Sequence, residues 1–175
     1  MHLCLVIRHG AAQDRAASGL DVDRELSAEG AREMRYIAAG LAASTRPPEV
    51  ILTSPLRRAR QTAEVVAEAF GGIPVEDEPA LESGGSAADI LGALVARCRG
   101  DTGGIALVGH EPDLGRFVSY ALAATSRSFH SLRKGGACVL EFPALPRAGN
   151  ATLEWALDPV HLRAMADRAG GTDEH

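Results

Sequence analysis

The sequence predicts an α/β fold: a three-layer α/β/α sandwich with a mostly parallel central sheet and an antiparallel edge. Three observations carry this expectation. Apolar runs at residues 3–7, 50–53 and 105–108 are too short for helices and rich in branched side chains, so they read as strands. Each is followed, directly or after a polar stretch, by a segment with apolar residues at helical spacing. Two late runs, 137–142 and 152–157, follow one another with only a loop between them. Alternation of strand and helix implies parallel pairing with helices on both faces, and the late hairpin adds the antiparallel edge.

The elements follow in order. The first strand runs into Arg8, His9 and Gly10, and a polar stretch from 11 to 25 comes next. Ser27 is the expected N-cap of a helix over 28–43, whose apolar stripe is Met34, Ile37, Ala38 and Leu41, with Leu26 just ahead of the cap. Pro47 and Pro48 separate it from the strand at 50–53. Ser54 and Pro55 predict a cap and a first helical residue for the second helix, which carries Leu56, Ala59, Ala63, Val66 and Ala67 and ends at Gly71 and Gly72. A short strand is expected at 73–75 and an acidic loop at 76–85. Ser86 and Asp89 have capping-box spacing for a third helix over 87–99. Gly103 and Gly104 precede the strand at 105–108, and Pro112 opens a fourth helix through Leu114, Phe117, Val118 and Leu122. After the hairpin, Asp158 and Pro159 cap a last helix over 160–168. Residues 1–169 are expected to form one domain, with 170–175 a frayed tail.

A chain of 175 residues can bury a proper core. Aromatics are only 4%, so that core must be mostly Ala, Leu and Val. A net charge of -5 argues against a nonspecific nucleic-acid binder, but leaves room for a local positive pocket from Arg8, Arg57, Arg58 and Arg60. Cys4, Cys98 and Cys138 are far apart and odd in number, so each is expected to be a small buried hydrophobe. No apolar stretch reaches the length of a membrane span, and the N-terminal residues lack a leader pattern. The expectation is a cytoplasmic protein without a membrane or nucleic-acid partner.

Three strand ends present histidine or arginine: Arg8 and His9, Arg57 and Arg58 beyond Thr53, and His110 after Gly109. Open α/β sheets keep their ligand sites at such ends. A neutral imidazole is a competent nucleophile toward phosphorus when one ring nitrogen is held by a hydrogen bond. A backbone carbonyl close to His9, with Gly10 allowing the approach, could hold it. Arg8 and Arg58 would supply fixed charge for the transferring oxygens, and His110 a further donor. A helix start is a poor place for arginine, so at least one of Arg57, Arg58 and Arg60 is expected to serve an anion. Taken singly, a histidine beside a strand or an arginine on a helix is more often structural. Only the combination of three strand ends points to a phosphoryl site.

The set of motifs resembles the histidine phosphatase (phosphoglycerate mutase-like) superfamily. The residues that carry the resemblance are Arg8-His9-Gly10, the run from Ser54 through Leu56, Arg58 and Ala59 to Thr62, and Gly109-His110. It implies that His9 is a phosphorylated nucleophile, that Arg8, Arg58 and His110 form the phosphate pocket, and that Arg57 lies outside it. Residues 107–114 and Lys134-Gly135-Gly136 are similar to the SixA-like branch, whose activity is phosphohistidine phosphatase. That branch lacks the insertions that enclose sugar phosphates in the mutases, which implies an open pocket. Ala11 departs from the Asp that many SixA-like chains carry there. Glu82 is the candidate general acid, while Glu111 and Asp113 read as helix-start residues. A phosphoramidate needs less acid help than an ester, because its imidazole accepts a proton more readily than an alkoxide does. The expected partner is a phosphohistidine-bearing protein or a small phosphorylated molecule. The alternatives are a small-molecule phosphomonoesterase of the same superfamily and a non-catalytic phosphate-binding protein. No cofactor is expected, and two histidines with scattered acids make no recognisable metal-ligand run.

Overall fold

A computed structural model describes residues 1–100 and 103–170. The strands are β1 (His2–Arg8), β2 (Val50–Thr53), β3 (Val75–Asp77), β4 (Gly103–Gly109), β5 (Ala137–Phe142) and β6 (Thr152–Leu157). The helices are α1 (Ala28–Ser44), α2 (Arg57–Ala69), α3 (Ala87–Arg97), α4 (Asp113–Ala123) and α5 (Pro159–Gly170). One sheet runs in the order β3-β2-β4-β1-β5-β6. The pairs β2/β3, β2/β4 and β1/β4 are parallel, whereas β1/β5 and β5/β6 are antiparallel. This is the three-layer sandwich with an antiparallel edge that the sequence predicts.

Alternation along the strands divides the apolar residues between two cores. Cys4, Val6, Leu52, Ile105, Leu107, Cys138 and Leu140 face one side, where Ile90 and Leu94 of α3 and Leu114, Phe117 and Val118 of α4 cover them. Leu5, Ile7, Ile51, Ala106, Val108 and Val139 face the other, under α1, α2 and Leu162 of α5. Strands buried on both faces must be apolar at every position, which is why β1 and β4 read as continuous runs.

The expected caps form at two helices. The Ser27 hydroxyl accepts from the Gly30 N–H at 2.9 Å. The Ser86 hydroxyl accepts from the Asp89 N–H at 3.0 Å and donates to the Asp89 carboxylate at 2.6 Å.

Several boundaries differ from expectation. The second helix starts at Arg57 rather than Pro55, because Ser54 still belongs to the strand end: its N–H donates to the Val108 carbonyl at 2.9 Å. β3 lies at Val75–Asp77, set by parallel pairing with Ile51–Thr53 rather than by its own apolar residues. The loop at 76–85 therefore holds the end of a strand and a 3-10 turn, Pro79–Leu81, with Leu81 buried. The polar stretch 11–25 holds a second 3-10 turn, Asp21–Asp23. α3 stops at Arg97, and Cys98 behind it is only half-buried, unlike Cys4 and Cys138. Burial pushes the Cys138 thiol up to about 12, so it stays protonated in the core. α5 runs to Gly170, and residues 171–175 of the expected tail lie outside the described residues. No described helix is long and apolar enough to cross a membrane.

Candidate active site

Parallel pairing brings the ends of β1, β4 and β2 to one edge of the sheet. Arg8 pairs with Gly109 in the β1/β4 register, and the His9 N–H donates to the Gly109 carbonyl at 3.1 Å. His9 and His110 therefore leave adjacent strands together. Their ring centroids are 4.9 Å apart, tilted by 57°. On the other side of β1, the Gly135 N–H is shared between the carbonyls of Arg8 at 3.1 Å and His9 at 3.2 Å. Gly135 has φ +77, so the turn that makes this clamp favours glycine. That is the structural reason for the Lys134-Gly135-Gly136 signature.

His9 is oriented by the strand exit itself. Its Nδ1 lies 2.7 Å from the Gly10 carbonyl, which can only accept, so the ring proton sits on Nδ1 and the Nε2 lone pair is free. The Gly10 N–H donates to Thr62 Oγ1 at 3.1 Å, and that hydroxyl donates to the Arg58 carbonyl at 2.7 Å. Thr62 thus ties the loop after β1 to α2. Gly30 of α1 stands so close that a side-chain carbon there would lie 2.0 Å from the Ala11 carbonyl.

Burial pushes His9 down to about 4, helped by the charges of Arg58, Arg8 and Lys134, while the Gly10 bond works the other way. Burial also lowers His110, to about 3, with His9, Arg58 and Arg8 adding to it and Asp21 opposing it. Both rings are neutral at pH 7. His110 Nε2 bonds the Ser54 hydroxyl at 2.8 Å, and Ser54 Oγ also accepts from the Leu56 N–H at 3.3 Å.

The arginines divide clearly. Arg8 donates to the Leu132 carbonyl at 2.8 Å. Arg58 is buried and donates to the Asp21 carbonyl at 2.9 Å and the Asp21 carboxylate at 3.0 Å. Arg57 pairs with Glu25 at 2.8 Å, with its own side chain 58% exposed. Arg60 pairs with Glu64 and Asp77 on the surface, so neither it nor Arg57 adds to a positive pocket. Two buried polar atoms at this edge, Arg8 Nε and His110 Nδ1, have no hydrogen-bond partner among the described residues. Buried polar atoms of this kind are ordinarily satisfied, and an anion is the natural partner for the Arg8 N–H.

Glu82 is exposed and its carboxylate makes no hydrogen bond or ion pair among the described residues. Its loop is held by the Gly84 N–H, which donates to Asp113 at 2.7 Å. Glu111 does more than start a helix: it accepts from the Leu132 N–H at 2.7 Å and the Gly115 N–H at 3.1 Å. It thereby holds the residue whose carbonyl accepts from Arg8. Ser54, Glu111 and Asp21 were not assigned to the site from sequence, although Ser54 opens the Ser54–Thr62 run and Glu111 follows His110 directly. Among the described residues, no group of three His, Cys, Asp or Glu is placed to hold a metal ion.

Comparison with known proteins gives a consistent picture. The sequence profile of the histidine phosphatase superfamily (branch 1) matches residues 4–83, which carry Arg8-His9-Gly10 and the Ser54–Thr62 run. An uncharacterized protein of Picosynechococcus sp. is 38% identical over 130 residues, covering 74% of this chain and 78% of the relative. The phosphohistidine phosphatase SixA of Escherichia coli is 27% identical over 160 residues, covering 90% of this chain and 94% of that protein. The solved structure of the protein histidine phosphatase SixA complexed with tungstate superposes with a TM-score of 0.77 at 25% identity, covering 91% of this chain and 99% of that one.

Proposed function

Because the chain belongs to the histidine phosphatase superfamily, in its SixA-like branch, we propose that it removes the phosphoryl group from phosphohistidine on another protein, through a phosphorylated His9. Histidine-phosphatase chemistry comes with membership; the substrate and the roles of individual residues are our reading. The observation that carries it is the His9–Gly10 bond, which leaves Nε2 unprotonated beside Arg8, Arg58 and His110.

In the first step the Nε2 lone pair of His9 forms a bond to phosphorus while the substrate P–N bond breaks. The departing electron pair returns to the substrate nitrogen. Arg8 and Arg58 balance the equatorial oxygens with charge that needs no proton transfer. In this scheme the Ser54 hydroxyl donates to His110 Nε2, so the ring proton sits on Nδ1, a buried atom without a partner among the described residues. That N–H then serves a phosphoryl oxygen. In the second step water attacks phospho-His9, its proton passes to the released phosphate, and Nε2 regains its lone pair. No metal takes part in either step.

The test is rapid mixing with a phosphohistidine peptide, an alkaline denaturing quench, and mass spectrometry. Phosphate is expected on His9 in the wild type, on no residue in His9→Ala, and on His9, more slowly, in His110→Ala. A label on His110 with His9 dispensable would reverse the roles, and fast turnover with no label would exclude the covalent route. A panel of small phosphomonoesters run alongside separates the protein substrate from a small molecule.

A further inference from the structure

The polar stretch after Gly10 contributes a carboxylate that the two-step scheme leaves unused. Asp21 sits on the 3-10 turn Asp21–Asp23, which buries no residue. Its Oδ2 lies 3.0 Å from Arg58 and its Oδ1 2.9 Å from Arg24. The Arg58 side chain is 7% exposed and that of Asp21 is 61% exposed. Both terminal nitrogens of Arg58 thus bond Asp21, while its charge acts on His9 and His110. Asp21 is also near enough to His110 for its charge to act on that ring. It is thus an exposed carboxylate bonded to a buried guanidinium, close to His110. Leu20 and Val22, on either side of it, are exposed, so the turn presents itself to an incoming partner.

Two guanidinium groups keep Asp21 ionised, Arg24 foremost, so it is not a proton donor for an alkoxide. A phosphoimidazole has a different need. The ring nitrogen that does not carry phosphorus is basic, and a ring protonated there leaves as neutral imidazole. That cation is what an exposed carboxylate close to His110 would stabilise.

We propose that Asp21 is a specificity-determining residue that pairs with the protonated ring of phosphohistidine and so favours it over phosphomonoesters. The assignment rests on the phosphohistidine reading above. The proton stays on the distal ring nitrogen throughout, the electron pair of the broken P–N bond returns to the proximal nitrogen, and Asp21 keeps its charge. A monoester leaves as an oxyanion, gains no proton from Asp21, and moves negative charge toward it.

The experiment compares wild type with Asp21→Asn on a phosphohistidine peptide, phosphoserine and p-nitrophenyl phosphate. Asparagine keeps the backbone carbonyl that holds Arg58 and removes only the charge. Its place on an exposed turn leaves both cores intact, and a thermal melt verifies this. For the phosphohistidine peptide, kcat/KM is expected to fall about tenfold, as for loss of one charge-assisted hydrogen bond, while the monoesters hold or rise. An equal fall on all three would mean that Asp21 merely orients Arg58, and would overturn the assignment. An equal rise would mean that it is only a competing anion, and would overturn it too. Wild-type protein that hydrolyses the monoesters but not the phosphohistidine peptide would overturn the parent reading instead.

Discussion

Arg57 and Arg58 are adjacent in sequence, share the first turn of α2, and differ in almost everything else. Replacing each by alanine separates the proposed phosphate contact from helix electrostatics. Arg57 is mostly exposed and its ion pair with Glu25 faces solvent, so its loss should change stability by no more than about 1 kcal/mol and activity very little. Arg58 is buried, and its partner Asp21 is an exposed carboxylate that keeps Arg24. Breaking that pair should also cost about 0–1 kcal/mol, offset in part by removing a cation from a positive helix start. The effect on catalysis should be far larger. Losing one fixed donor to the transferring group commonly slows the reaction about 10²–10³-fold. Arg58→Lys keeps the charge but loses the planar fork, so it should fall between wild type and Arg58→Ala. Steady-state kcat/KM on a phosphohistidine peptide, with thermal melts on the same preparations, gives both axes. Equal, small losses in Arg57→Ala and Arg58→Ala, with both proteins folded, would refute the assignment of Arg58.

Two further outcomes follow from the histidines. The unfolded chain takes up protons on His9 and His110 below about pH 6.5, whereas the folded chain holds them neutral to about 4 and about 3. Between those values the unfolded state binds more protons, so stability rises with pH and is lost as pH falls from 6.5. Melts at pH 6.5 and 5 should show a smaller difference in a His9→Asn, His110→Asn double variant; an unchanged difference would count against buried neutral rings. Ser54→Ala removes the hydrogen-bond partner of the buried His110 Nε2 and should cost about 1–3 kcal/mol of stability, with kcat lowered more than KM is raised. Kinetics and melting of that variant check both parts.

Sequence made β2, β5 and β6 legible to the residue, because glycine, proline or polar residues bound each apolar run. It misplaced β3 because Glu76 and Asp77 are exposed at a sheet edge, where pairing with β2 rather than burial defines the strand. It placed the start of α2 too early because a serine before a proline reads as a cap. Here that serine serves the β4 backbone and His110, so tertiary bonding overrides the local preference. Arg8, His9, Arg58 and His110 were visible as motifs at strand ends. Asp21 was not, since a lone acid in a polar stretch has no period and no neighbour in sequence that marks it. Glu111 was visible and its helix-start reading holds through the Gly115 N–H, but that local reason gave no sign of its second bond, to Leu132.

The strand that carries His9 is hydrogen-bonded on both sides, to β4 and to β5, and clamped again by Gly135 just past its end. The stretch 11–25 beside it has no fully buried residue. On the proposed reading, chemistry and recognition are thus seated on parts of the molecule with opposite tolerance for change. A slip of one residue in β1 would invert every side chain between the two cores, so the nucleophile cannot drift without unfolding the sheet. Substitutions around Leu20, Asp21 and Val22 touch neither core. A lineage could exchange one phosphorylated partner for another by rewriting that short stretch alone, while the reaction that removes the phosphoryl group stayed as it was.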